Sequence, residues 1–479
     1  MTTQLGIRAR GGIALFFLAA LGACGTFDVT NPNQPTLDDL VSNPTKAKLA
    51  VAATGIFATS RSDIQAFIWR VGSMGREGIN LSGNNQPDYQ EPYFGPLASG
   101  GSFGATLWAV DFAHIRSVNI YLDAVPVAPD LSAAERSASL GFAKTLKALA
   151  FMYVIETRAQ NGAPVDVGRA VTGDPPPFVS QDSVYGYILG LLNEAQTNLQ
   201  AGSGAFPFPV PPGYAGFDTP ATFVQFNRAL AAKAYVLRGT VGCGAPCFTS
   251  ALAALTGSFL VADPGQLKLG VYFDFSTAAG DQTNGLSDPL GSPAFFAVPR
   301  LLTQAQTQAD GTTLDQRALD KVAAATLDPP QQVGGVNIPG TYKFTNFFTG
   351  GDADPSAPIP IIRNEELILL RAEANLGLGN NATALADINF IRTSSGHLAP
   401  TTLTAGSPKA ALVDELLYNR LFSLLWEQGT RWIDARRYNL LGTINVEVDN
   451  GHVPTVMPVP ADECSARNLP AGCSPLTGG

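Results

Sequence analysis

The densest cluster of ionisable side chains in the sequence is LLWEQGTRWIDARRYNLL, residues 424–441. Glu427 and Arg431 are four residues apart and Arg431 and Asp434 are three apart, so on a helix these side chains would pair across successive turns. Gly429 lies between them and indicates either a weak helix or a break. Two interpretations of this cluster are open: a site for a charged ligand, or an ion network between helices. We favour a network, because arginine is the usual cation of buried pairs. Its expected members are Glu427, Arg431, Asp434 and Arg437.

Motifs for catalysis are scarce. The three histidines do not stand at the spacing of metal ligands, and the chain lacks a G-x-S-x-G elbow and a glycine-rich phosphate loop. Asp352 and Asp354 offer oxygen ligands for Ca²⁺, but two acids in one loop do not predict a metal site. Carboxylates from distant loops could still meet as a glycosidase pair, which keeps a hydrolase open as a third interpretation. We expect a protein that is not an enzyme and that has no cofactor.

Cysteine is used sparingly. Four of the five cysteines lie in two local pairs, and the even number favours disulfides in an exported chain. Three pairings are possible, of which we expect Cys243 with Cys247 and Cys464 with Cys473. A zinc site is the alternative, but the CGAPC spacing and the long gap to the second pair do not fit the usual zinc motifs.

The fifth cysteine, Cys24, ends an N-terminal segment that is typical of export. Arg8 and Arg10 precede an apolar run at 13–21 that is too short to span a bilayer. The sequence LGAC that follows resembles a bacterial lipobox, in which the cysteine thiol is acylated and the preceding peptide is removed. We therefore expect a signal peptide over residues 1–23 and a tether held at Cys24 by its acyl chains.

The net charge excludes one class of partner. Loss of residues 1–23 takes Lys+Arg from 30 to 28 against 39 Asp+Glu, so the formal charge moves from -9 to -11. Nucleic-acid binding requires clustered positive charge on the protein. A nucleic-acid ligand is therefore not expected.

Most of the elements that would position these groups show the apolar periodicity of helices. Residues 184–199 place seven apolar side chains on one helix face, and Ser180 or Asp182 could cap its start. Residues 363–396 predict a helical hairpin whose alanines suit close helix pairs of the tetratricopeptide type. Residues 201–220 and 280–360 are rich in glycine, proline and asparagine and predict long loops, which in such proteins are often functional.

The order of these landmarks resembles that of the SusD/RagB family of surface lipoproteins. The resemblance covers essentially the whole mature chain, and its last two blocks are the most specific. The blocks are the lipobox, KTLKALAFMYVIETRAQNGAPV at 144–165, VYGYILGLLNEAQTNL at 184–199, FNRALAAKAYVLRG at 226–239, the hairpin with Asn389 and Arg392, the block from Glu427 to Arg437, and the terminal MPVPADECSARNLP.

The resemblance implies a mostly α fold, the SusD-like fold, with tetratricopeptide-like helix pairs and long loop-rich insertions. It implies a lipidated tether over 24–43 and a SusD-like domain over 44–479, divided into an N-terminal part with ligand-face loops at 44–330 and a C-terminal part at 331–479. It also implies a location at the cell outer membrane, a TonB-dependent barrel of the SusC type as partner, and a glycan or peptide as ligand.

The family's ligand face is expected in the loops after the first helices and in the middle insertion. Residues 75–108 show no helical period and would leave their polar and aromatic groups free to contact a ligand, and aromatic rings stack well on sugars. For each ring taken singly, packing onto the helical core is at least as good an interpretation. The predicted ligand-binding residues are Asn84, Asn85, Asp88, Tyr89, Tyr93, Phe94, Tyr272 and Phe296.

Two departures from the family pattern stand out. Asn419-Arg420 replaces the usual Glu-Arg before the Glu427 block, and Lys147 stands where the family usually has arginine. Both concern the scaffold, so they leave the ligand undetermined. A helical protein-interaction scaffold at the cell envelope, without a small ligand, remains the alternative function.

Overall fold

The computed structural model describes residues 37–81, 86–168, 173–327, 331–333, 336–338, 342–444 and 453–476. Cys24 and the predicted signal peptide lie outside this range. The described helices are α1 (Leu37–Ser42), α2 (Lys46–Ser60), α3 (Ile64–Met74), α4 (Gln86–Phe94), α5 (Leu107–Ala124), α6 (Ala133–Arg158), α7 (Gln181–Ala201), α8 (Pro220–Arg238), α9 (Ala245–Thr256), α10 (Arg300–Gln304), α11 (Gln316–Lys321), α12 (Asn364–Gly377), α13 (Asn381–Ser394), α14 (Lys409–Ser423), α15 (Thr430–Arg437) and α16 (Ala461–Ala466).

The strands are short and form two-stranded antiparallel pairs. They are β1 (Gly78–Asn80), β2 (Ala163–Pro164), β3 (Phe178–Val179), β4 (Gly270–Phe273), β5 (Phe295–Ala297), β6 (Val322–Ala324), β7 (Gln331–Val333), β8 (Val336–Ile338), β9 (Tyr342–Phe344), β10 (Phe348–Thr349), β11 (Asp352–Ala353) and β12 (Ile359–Arg363). The pairs are β1–β5, β2–β3, β4–β12, β6–β9, β7–β8 and β10–β11. The predicted mostly α fold is confirmed.

The helical framework is a series of neighbouring pairs. Helix α6 packs on α5 and α7, α8 packs on α7 and α9, and α12 packs on α13 and α14. Side-chain caps define where several of these helices begin, since Ser132 and Glu135 form a capping box on α6 and Ser180 accepts the Ser183 amide at the start of α7. The predicted cap of α7 is thus Ser180.

One described helix, Ala133–Asn161, is long and apolar enough to span a bilayer by length and composition alone. However, 83% of its apolar window is buried inside the protein. Burial of this kind is typical of a core helix, whose apolar surface is covered by neighbouring helices.

The cysteines pair locally, as predicted. Cys243 is bonded to Cys247 and Cys464 to Cys473. The second disulfide lies in the C-terminal segment, where the Met457 amide donates to the Thr157 carbonyl of α6 at 3.0 Å.

The expectation that residues 75–108 lack helical structure is wrong for α4. Its short sequence contains Pro92 and only a few apolar residues, so no periodic apolar face is visible in the sequence. The helix is fixed instead by tertiary packing, because its aromatic side chains meet the β1–β5 pair.

Candidate ligand-binding site

Four of the aromatic residues predicted to bind ligand pack together beside the β1–β5 pair. This aromatic cluster consists of Tyr89, Tyr93, Phe94 and Phe296, with Ile79 and Leu81. Tyr93 and Phe296 are each only 1% exposed, and the Tyr93 hydroxyl donates to the Gly78 carbonyl at 3.0 Å. Their burial corrects the expectation that these two rings face a ligand, because both lie in the protein interior.

Polar neighbours hold the buried members of this region. The Lys343 ammonium lies 4.6 Å from the centroid of the Phe296 ring. Asp88 is buried as well, and its Oδ2 lies 3.5 Å from Nδ2 of Asn80. Asp88 is therefore buried beside Asn80 of β1 and not exposed on a loop as expected.

The remaining predicted residues of this region lie in α4 or just before it in the sequence. Tyr89 and Phe94 are half-buried and keep part of each ring at the surface. Asn84 and Asn85 lie outside the described residues. The exposed portions of Tyr89 and Phe94 are therefore the part of the aromatic cluster that a ligand could reach.

Tyr272 lies elsewhere, in the wall of a cleft of about 860 Å³. The cleft lies between β4, β12, α11, the turn after β9 and the end of α13. We call it the polar cleft, and its lining includes Lys268, Tyr272, Asp320, Lys321, Thr345, Asn346, Phe348, Thr349, Arg363, Glu365, His397, Ser423 and Glu427. Tyr272 is half-buried, and its hydroxyl donates to the Lys268 carbonyl, so its ring is held against the wall.

Strand pairing explains why these residues meet. β4 runs antiparallel to β12, which places Tyr272 opposite Pro360 and Gly270 opposite Arg363. The register shifts between Pro360 and Ile362, as at a β-bulge. Arg363 is therefore delivered at the point where β12 ends and α12 begins, at the base of the cleft.

Four charged side chains form the base of the polar cleft, and we call them the floor cluster: Lys321, Arg363, Glu365 and Glu427. Arg363 donates to both carboxylates, with Nε 2.9 Å from Oε2 of Glu427. Lys321 Nζ lies 2.7 Å from the second oxygen of Glu427. The Ser423 hydroxyl donates to Glu365 at 2.6 Å. The cluster holds two positive and two negative charges, so it neutralises itself.

The electrostatics of the floor cluster keep both carboxylates ionised. Burial alone would raise the pKa of Glu365, but attraction to Arg363 and Lys321 outweighs burial and lowers that pKa to about 2. Burial alone would likewise raise the pKa of Glu427, but attraction to the same two cations outweighs burial and lowers that pKa. Neither carboxyl group is protonated at neutral pH.

The predicted pairing of Arg431 with Glu427 and Asp434 is not found. Gly429 has a left-handed backbone with φ 63° and separates Glu427 from α15, so Glu427 does not share a helix face with Arg431, and Asp434 on α15 pairs with other arginines. Arg431 instead donates to the Arg76 carbonyl at 3.2 Å and to Gln304.

Asp434 and Arg437 belong to a second buried group, the helix cluster, formed by Glu373, Arg420, Asp434 and Arg437. Asp434 accepts from Arg420 at 2.7 Å and from Arg437 at 2.6 Å. Arg437 also lies 2.6 Å from Glu373 of α12. This cluster joins α12, α14 and α15 and lies in the interior, which makes it structural.

A packed aromatic layer connects the aromatic cluster with the polar cleft. Phe344 of β9 stacks on Trp426 with centroids 4.1 Å apart, and Phe295 approaches the same indole at 6.0 Å. Glu427, which follows Trp426 in the sequence, belongs to the floor cluster. This layer therefore joins β5, which carries Phe296 of the aromatic cluster, to the segment that carries Glu427 of the floor cluster.

Sequence reasoning did not predict Lys321, Arg363 or Glu365 as parts of the site. Arg363 and Glu365 stand at the start of the predicted hairpin, where their charges suggest only a helix terminus. Lys321 comes from the loop-rich middle insertion. No short motif joins the three, because tertiary folding alone brings them together.

The described residues contain no group of three or more metal-binding side chains suited to hold an ion. Asp354 accepts hydrogen bonds from Thr349 and Ser356, and these bonds lower its pKa. Its loop is therefore stabilised by its own neighbours.

This chain is similar in sequence and in fold to known proteins. The sequence model of the SusD family matches residues 321–467. A search of curated protein sequences returned no match. A SusD superfamily protein from Bacteroides vulgatus is similar in structure, with TM-score 0.65, 16% identity and coverage of 88% of this chain and 97% of the other.

Two further solved structures are similar in fold. One is a SusD-like carbohydrate binding protein from Bacteroides fragilis, with TM-score 0.64, 16% identity and coverage of 84% of this chain and 87% of the other. The other is a laminarin binding SusD-like protein, with TM-score 0.59, 14% identity and coverage of 88% and 98%. Residues 321–467 therefore match the SusD family model, and the chain as a whole shares the fold of these SusD-like structures.

Proposed function

We propose that this chain is a surface lipoprotein of the outer membrane that binds an oligosaccharide and delivers it to a TonB-dependent importer of the SusC type. The match of residues 321–467 to the SusD family model and the lipobox-like sequence at Cys24 support the envelope location. A glycan is favoured over a peptide because two proteins of the same fold are described as binding carbohydrate and laminarin. The observation that carries the proposal is the polar cleft.

The polar cleft has the chemistry that a sugar requires. Its volume of about 860 Å³ lies within the range of small-ligand sites and exceeds the space of one sugar ring. Tyr272 and Phe348 offer partly exposed aromatic surface to the apolar faces of sugar rings. Thr345, Thr349 and His397 supply hydrogen-bonding groups near the rim. Aromatic stacking would provide the contact area and the polar groups the orientation.

The floor cluster favours binding over hydrolysis. A glycosidase requires one carboxylic acid with a raised pKa to protonate the leaving oxygen. Glu365 and Glu427 are the two carboxyl groups in the cleft floor, and both have lowered pKa values. Their oxygens are already engaged by Arg363, Lys321 and Ser423. Neither of these two carboxyl groups is therefore suited to be the proton donor of a glycosidase.

The aromatic cluster is the second surface on which a ring could stack. Among its rings only Tyr89 and Phe94 offer accessible area, and neither lines the polar cleft. We place the principal site in the cleft, because the cleft is concave and combines aromatic with polar groups.

Ligand binding is tested with the full-length acylated protein in detergent. Laminarihexaose, maltohexaose, xylohexaose and a hexapeptide would be titrated by calorimetry after a glycan-array screen. We expect at least one oligosaccharide to bind, and Tyr272→Ala to weaken it about tenfold, the equivalent of about 1.4 kcal/mol. Tyr235→Ala is the matched control, since this half-buried tyrosine of α8 does not line the cleft. Binding of no glycan, or equal binding by Tyr272→Ala, would refute the proposal.

The transport role is tested separately by detergent purification from native membranes and mass spectrometry of the copurifying chains. A stoichiometric TonB-dependent barrel is the expected result, and Cys24→Ser should release the protein from the membrane fraction. Recovery of envelope proteins without any barrel would favour the scaffold function instead.

A further inference from the structure

Lys147 differs from the other buried lysines of the described residues. Lys147, Lys233 and Lys343 are the lysines with less than a tenth of their surface exposed. Lys233 Nζ lies 3.2 Å from Oε1 of Glu366, and Lys343 is paired with Asp288. A carboxylate thus compensates the burial of two of these ammonium groups.

No such partner accompanies Lys147 among the residues that the structure describes. The residue is 8% exposed, and its Nζ lies 5.6 Å from the centroid of the Tyr187 ring. Asp123 attracts it only at longer range, while burial lowers the pKa of Lys147. An ammonium on such a largely buried side chain is less favourable without a paired anion, and a π face compensates only part of that cost.

The ammonium group borders a pocket of about 370 Å³. α5 contributes Asn119 and Asp123, α7 contributes Tyr187, and residues 165–168 close one side. The Asn119 amide donates to the Val167 carbonyl at 3.3 Å, which ties this side to α5. Phe151 meets the Tyr187 ring edge-on with centroids 5.2 Å apart. The walls are therefore preformed.

We propose that this pocket binds a small molecule through a carboxylate group that pairs with Lys147. The site lies among α5, α6 and α7 and shares no residue with the polar cleft, so the inference is independent of the proposed oligosaccharide site. Asp123, which also lines the pocket, accepts a hydroxyl or ammonium group of the same molecule. The pocket volume suits a single sugar or amino acid.

The charges around the pocket restrict the anion. Asp123 lines the pocket with Lys147, so a doubly charged phosphate would face a carboxylate as well as the one ammonium. A singly charged carboxylate has less repulsion to overcome, and hydroxyl or ammonium groups on the ligand would use the acidic wall. The matching classes are sugar acids and amino acids.

The test is calorimetric titration of the full-length protein with sodium glucuronate, glucose and L-serine. Glucose is the neutral counterpart of glucuronate, and L-serine represents the amino-acid class. We expect glucuronate or L-serine to bind and glucose to bind at least tenfold more weakly. The ligand that binds identifies the class.

Lys147→Met should abolish that binding, whereas Lys147→Arg should keep it within about threefold because the charge is retained. Lys144→Met is the matched control on the same helix, since Lys144 pairs with Glu194 outside the pocket. Thermal unfolding separates folding from binding, and Lys147→Met is expected to keep or raise the melting temperature because it removes an unpaired buried charge. No binding by glucuronate or L-serine, equal binding by Lys147→Met, or a marked fall in its melting temperature would overturn the proposal.

Discussion

The floor of the polar cleft and its walls have opposite character. The floor is a set of buried charges that satisfy one another, with Arg363 between Glu365 and Glu427. The walls are short strands and turns that present half-buried aromatic rings and hydroxyl groups, as at Tyr272 and Phe348. Both regions contain groups that could bind a sugar, yet only those of the walls have unused surface.

This contrast indicates how to separate support from recognition. Ionisable residues attract attention in a sequence, but a charge whose hydrogen bonds are all made inside the protein has little left for a ligand. Aromatic rings at the rim cost little free energy when they remain partly exposed. A ligand that covers these rings buries more of their apolar surface. The floor should therefore govern stability and the walls should govern affinity.

The largest expected effect is on the floor. Arg363→Ala leaves Glu365 and Glu427 buried with only Lys321 to compensate them, and such losses typically cost about 3–5 kcal/mol. Urea unfolding followed by circular dichroism measures the change. Lys144→Ala, which breaks the solvent-exposed pair with Glu194, should cost no more than about 1 kcal/mol. Similar costs for the two variants would remove the distinction between floor and surface charges.

A second effect concerns the turn that leads from the floor to α15. Gly429 has φ 63°, and an added Cβ would lie 2.6 Å from Cβ of Val71. Gly429→Ala should reduce the unfolding free energy by about 2–4 kcal/mol, from backbone strain and overpacking together. Gly379→Ala is the control, because φ is 79° there with no atom within 4 Å of the added Cβ. Equal costs at the two sites would show that packing against Val71 contributes nothing.

The floor should also respond to acid. Glu365 has a pKa of about 2 in the folded protein, below its value in the unfolded chain. Its stabilising contribution is complete above the unfolded pKa of about 4.3 and is lost as the pH falls toward 2. Between pH 5 and pH 3, wild type should lose about 1–2 kcal/mol more than Glu365→Gln does. Parallel unfolding curves against pH for the two proteins would contradict this assignment.

How far the sequence predicts this molecule follows from the same contrast. The helices with apolar periods, such as residues 184–199, are predictable because the pattern repeats within one element. The disulfides are predictable because their partners are local. The floor cluster is not, because Lys321, Arg363 and Glu427 come from three separate segments and meet only through tertiary folding.

The aromatic residues show a related limit of prediction from the sequence. Their type identifies groups that could stack on a ligand, but type does not distinguish buried rings from exposed ones. Tyr93 and Phe94 are adjacent in the sequence, yet Tyr93 is 1% exposed while Phe94 keeps part of its surface. The difference arises from α4, whose faces point in different directions and whose pattern is too short to recognise.

The smallest expected effect distinguishes the two candidate surfaces. Tyr89→Ala removes a partly exposed ring of the aromatic cluster that does not line the polar cleft, so it should change oligosaccharide affinity by less than about threefold, or about 0.6 kcal/mol. Tyr272→Ala, measured by the same calorimetric titration, should change it about tenfold. A reversed order would move the principal site to the aromatic cluster and would make the polar cleft, with its self-neutralised floor, part of the scaffold.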